Sequence, residues 1–63
     1  MAKPKREAIK RQIKRLREQA EYCRGMAEAA WGVGARLDGD AYSRMASWNL
    51  QEARKLEDGL KAG

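Results

Sequence analysis

Seven small or apolar residues, Ile9, Ile13, Leu16, Ala20, Cys23, Ala27 and Ala30, follow one another at alternating steps of four and three. That spacing keeps side chains on one seam of an α-helix and buries them against another helix. It confines the first half of the chain to a packed helical architecture. A second stripe runs beside it, because Lys3, Lys10, Arg17, Arg24 and then Trp31 recur every seven residues. The apolar seam therefore has a positively charged edge that ends in an aromatic ring, which points to an anionic ligand or partner.

The boundaries follow from local chemistry. Pro4 suits the first turn of a helix, and good helix formers continue to Trp31, with Gly25 an interior weak point costing ~1 kcal/mol relative to Ala. Gly32 and Gly34 mark the stop, and residues 32–39 read as the connection. Asp40 is the expected N-cap of a second helix over about residues 40–61, with Asp38 a rival cap. Tyr42, Ala46, Asn49, Ala53, Leu56 and Leu60 repeat the four-three spacing there, and Met45 and Leu50 widen the apolar face on opposite sides. The expected fold class is all-α: one domain over 1–63, an antiparallel helical hairpin with a first helix over about 4–31 and a basic arm at 1–6. That register sets Arg17 near Arg54, Arg24 near Ser47 and Leu16 near Leu56.

A chain of 63 residues is too short to bury a large core alone. Its single cysteine and lack of histidine rule out an internal disulfide and a conventional structural zinc site. Two hairpins pairing into a four-helix bundle are the expected remedy, as a homodimer or a larger oligomer. Ile9, Ile13, Leu16, Asn49, Leu56 and Leu60 are the candidate seam of that assembly, and an Asn in such a seam sets register or oligomeric state. No apolar run approaches the roughly 20 residues that span a bilayer, and no signal-peptide pattern follows the basic N-terminus. A soluble protein in the reducing cytoplasm, with no membrane partner, is expected.

Charge is unevenly placed. Residues 1–24 hold nine Lys and Arg against three Glu, whereas the remainder holds five basic and six acidic residues, so the net charge of +5 comes from the N-terminal part. Lys3, Lys5 and Arg6 stand where the helix dipole disfavours cations by ~0.3–1 kcal/mol each at low salt, a placement that helix stability alone does not select. A merely solvated, solubilising face is the plain alternative.

The residues argue against catalysis. No histidine is available for proton transfer, and Cys23 lies on the apolar seam as a small hydrophobe. Glu18 and Glu21 sit among Arg15, Arg17 and Arg24 as ordinary intrahelical ion pairs. The Trp31-Gly32-Val33-Gly34 run lacks the Lys and Ser/Thr of a phosphate-binding loop. No metal site and no cofactor are expected.

The aromatics direct attention to phosphodiesters. Indole rings beside guanidinium groups stack nucleobases while neutralising phosphates, and Arg24 with Trp31 and Arg44 with Trp48 lie within one or two turns of each other. Packing of either Trp into an oligomer interface is the structural alternative. The run Tyr42-Ser43-Arg44-Met45-Ala46, followed by Asn49-Leu50-Gln51 and an apolar-spaced tail to Leu60, resembles the second hairpin helix of phage anti-CBASS cyclic-nucleotide sponge proteins. That resemblance implies a small helical oligomer that sequesters cyclic oligonucleotide immune signals without cleaving them, in host cytoplasm, and carries over Tyr42, Arg44 and Gln51. The basic first helix departs from that family's pattern.

Three function classes follow. Small-nucleotide sequestration would use Lys10, Arg17, Arg24, Trp31, Tyr42, Arg44, Trp48 and Gln51. RNA or DNA binding would use Lys3, Lys5, Arg6 and Lys14. Inhibition or recruitment of a protein partner would use the broad face of Met45, Trp48 and Leu50.

Overall fold

The computed structural model describes the backbone of residues 3–62 and the side chains of residues 5–62. Two α-helices, α1 (Lys3–Gly32) and α2 (Arg36–Ala62), pack as an antiparallel hairpin, with no strand among the described residues. At ~1.5 Å per residue α1 extends over about 45 Å and α2 over about 40 Å, which accounts for a rod of 51 × 16 × 11 Å. Residues 3–6, expected as a basic arm, continue α1 without a break. Pro4 is tolerated in a first turn, and the Lys, Arg, Glu and Ala that follow all favour helix. The Lys3 side chain and residues 1, 2 and 63 lie outside the described residues.

The connection is shorter than the expected 32–39, comprising Val33, Gly34 and Ala35 alone. Gly34, at φ +82°, takes the left-handed conformation that costs an L side chain strain. Its N–H donates to the Trp31 carbonyl at 3.1 Å, and the Ala35 N–H donates to the Ala30 carbonyl at 2.8 Å. This pair of bonds is a Schellman closure, which satisfies the last carbonyls of α1. The Ala35 carbonyl then accepts from the Gly39 N–H at 3.0 Å and opens α2 immediately. Neither Asp40 nor Asp38 is therefore the N-cap. Asp38 lies in the first turn, where its charge complements the helix dipole, and Asp40 lies within the helix.

Gly39, read from sequence as connection, is a buried helical residue of α2. A Cβ at this position would overlap Cδ1, Nε1 and Cε2 of Trp31. The missing side chain lets the indole cross from α1 onto α2, where Nε1–H donates to Asp40 Oδ1 at 3.2 Å. This clasp fastens the turn end of the rod.

The seam follows the four-three spacing. Ile13, Ala20, Cys23, Ala27, Ala46, Asn49 and Ala53 are buried, and Ile9, Leu16, Ala30, Tyr42, Leu56 and Leu60 are half-buried along the same line. Alanines let the backbones approach closely, so the core is thin, and none of the large side chains described is fully buried. At the open end Arg17 donates to Glu57 in an ion pair across the seam. With side chains 56% and 35% exposed, that pair stabilises by less than about 1 kcal/mol.

Candidate functional site

The antiparallel register gives the rod two dissimilar broad faces. One edge of the α1 seam carries Lys10, Arg17, Arg24 and Trp31, and the matching edge of α2 carries Ser43, Leu50 and Glu57. The Arg17–Glu57 pair and the shallow groove lined by Arg17, Leu50, Ala53, Arg54 and Glu57 lie on this side. The other edge carries Gln19 and Met26 from α1 and Met45 from α2, flanked by Tyr22 and Trp48. Met45 and Leu50 thus stand on opposite sides of the seam, as their spacing implies.

On the second face a cleft of about 460 Å³ is lined by Gln19, Cys23, Arg44, Met45, Trp48 and Asn49. Its floor is Cys23 and Asn49, both on the seam and both buried. Trp48 stands 59% exposed at its wall, one helical turn from Arg44. Asn49 enters none of the hydrogen bonds described between side chains. No buried side-chain polar atom among the described residues is both enclosed and unpartnered, and Asn49 lines the cleft. The arrangement offers an indole face, a guanidinium and two amides; it supplies no nucleophile–base pair.

The basic end of α1 is a separate feature. Lys5, Arg6, Lys10, Arg11, Lys14 and Arg15 are all exposed, and each occupies a different position of the seven-residue repeat. That segment carries cations at six of the seven helical positions, with Glu7 its one acid and Ile9 on the seam. Trp31 against Gly39 and Arg17 against Glu57 set the end of α2 at the level of about residues 8–12 of α1. The first turns of α1 project past the end of α2. Among the described residues only Arg17–Glu57 and Lys55–Glu52 form salt bridges, so the six cations of this segment are not neutralised by such pairs.

The sequence-predicted ligand residues are not gathered into one pocket of a single hairpin. Lys10, Arg17, Arg24 and Trp31 follow the first face, Arg17 is engaged by Glu57, and Trp31 is engaged by Gly39 and Asp40. Arg44 and Trp48 line the cleft on the second face. Tyr42 is half-buried in the seam, and Gln51 is exposed on the outer side of α2. Sequence reasoning missed Gln19 as a cleft residue and Arg11 and Arg15 as members of the basic end. Counting charge around the whole helix, rather than along one seven-residue stripe, would have found the two arginines.

Among the described residues no three His, Cys, Asp or Glu side chains gather to hold a metal ion, and no helix is long and apolar enough to cross a membrane. Comparison with protein-family models, curated proteins and solved structures finds no match.

Proposed function

We propose that the chain is a non-enzymatic DNA-binding hairpin whose basic α1 end enters the major groove of a duplex. One observation carries this reading: six exposed cations stand around the N-terminal half of α1, whose first turns project beyond α2. A helix about 10–12 Å across fits the B-DNA major groove, about 12 Å wide, with phosphates on both walls. A helix charged on one side would neutralise one wall; this segment addresses both. The first turn of α1 contains no acidic residue, so cations there oppose the helix dipole until an anion is bound.

The test is fluorescence anisotropy of a labelled duplex titrated with protein at several salt concentrations. Neutralisation of five or six phosphates gives a slope of log affinity against log salt of about −5, and reversal of Lys10 and Arg11 to Glu abolishes binding. A flat salt response, or unchanged affinity in the reversed variant, overturns the reading. An RNA duplex binds more weakly, because the A-form major groove is deep and narrow.

The hairpin works as an assembly of two or more copies, a four-helix bundle in its simplest form, because its own core is thin. The cleft at Arg44 and Trp48 favours a second reading, capture of a small nucleotide as the sponge resemblance implies. One hairpin holds the Arg17–Arg24 stripe and the cleft on different faces, so a site joining them draws on two copies. Mass spectrometry of material retained after incubation with cyclic di- and trinucleotides separates the readings: intact cyclic nucleotide supports sequestration, and retention of duplex alone supports DNA binding.

A further inference from the structure

We infer that a second copy of the chain seats on the face formed by Gln19, Tyr22, Met26, Met45 and Trp48, with Asn49 at its centre. The inference rests on the reading of the hairpin as a self-associating unit, and it assigns the surface. The first support is area. The hairpin exposes 5388 Å² at a mass of 7.1 kDa, whereas a compact monomer of that mass exposes about 4,100 Å². The excess of about 1,300 Å² is larger than the ~800 Å² that each partner contributes to an interface of standard size.

The second support is the segregation of the two faces. Tyr22, Met45 and Trp48 are 65%, 52% and 59% exposed around the cleft, and large exposed apolar patches of this kind mark association surfaces. The opposite face mixes Lys10, Lys14, Arg17, Arg24 and Arg54 with Glu21, Glu28 and Glu57, and Leu50 is its exposed aliphatic side chain.

Asn49 supplies the third support and the geometry. It is 7% exposed, lines the cleft and takes no part in the hydrogen bonds described between side chains. An amide is donor and acceptor at once, and a two-fold contact sets a residue near the axis against its own counterpart. Asn49 is also the midpoint of α2, thirteen residues from Arg36 and thirteen from Ala62. A two-fold axis there overlaps two antiparallel rods along their whole length and keeps their basic α1 ends at opposite ends of the bundle. The amides of Asn49 and Gln19 then satisfy one another across the axis and fix the register.

Sedimentation equilibrium over a concentration series, on the full chain and two variants, tests the assignment. The expected result is a dimer that Trp48→Glu weakens about 30-fold or more, the effect of losing an aromatic hot spot, and that Leu50→Glu, on the other face, leaves intact. A monomer at every concentration overturns self-association and this inference together. A dimer that persists in Trp48→Glu overturns the face alone. Should Trp48→Glu unfold, the Trp31→Phe chain leaves Trp48 as the sole indole. Its quenching by iodide must fall as the mass doubles, and unchanged quenching overturns the assignment.

Discussion

Glycine shows how one residue type serves opposite ends within this hairpin. Gly39 is empty space that the Trp31 indole fills, whereas a Cβ at Gly25 meets nothing within 4 Å. The same substitution should therefore act with opposite sign at the two sites. Gly25→Ala stabilises by about 1 kcal/mol through helix propensity. Gly39→Ala gains a similar propensity term but displaces the indole from Asp40, for a net loss of about 1 kcal/mol against an overpacking cost of 1–3. Urea unfolding followed by circular dichroism measures both, and a red shift of Trp31 emission accompanies the second. A glycine before a suspected cap reads as a turn residue in sequence; only its contact with a side chain from the other helix reveals it as a packing residue.

The two helices differ at their ends. α2 has Asp38 in its first turn and Lys61 in its last, both complementing its dipole. α1 has neither an acid in its first turn nor a base in its last. Replacing Lys5 and Arg6 with Glu should therefore raise thermal stability at low salt by ~0.3–1 kcal/mol per site, and the gain should shrink in high salt. The same variant should lose affinity for duplex DNA. Thermal melts at two ionic strengths, set beside anisotropy titrations, check the pair of effects; a variant that gains stability and keeps affinity removes the basic end from the binding surface. Both helices and their antiparallel pairing were legible in the four-three spacing, as were Gly32 and Gly34 as the end of α1. The start of α2 was not: Asp40 has the chemistry of a cap, but the closure around Gly34 delivers the Ala35 carbonyl ready to begin a helix, five residues before the expected cap.

At the scale of the whole molecule the thin alanine seam governs stability. A hairpin whose folding is coupled to association melts at a temperature that rises with protein concentration, and calorimetry over a hundredfold range should show that rise. Asn49→Leu should then strengthen association while broadening the distribution of oligomers, since an apolar residue no longer specifies one register; analytical ultracentrifugation resolves the species. The amino-acid order alone settled the all-helical class, the seam residues and the concentration of charge in the first helix. These are periodic or additive properties, and a helix repeats at a constant 3.6 residues per turn whatever it packs against. Which residues share a face across the two helices was decided in three dimensions. The register of the turn set Arg17 beside Glu57, drew Trp31 onto Gly39, and placed Arg44 and Trp48 on the far side from the basic stripe. Seven-residue spacing aligns side chains within one helix, but the angle at which a second helix returns depends on the left-handed turn at Gly34 and on the close approach that small residues permit.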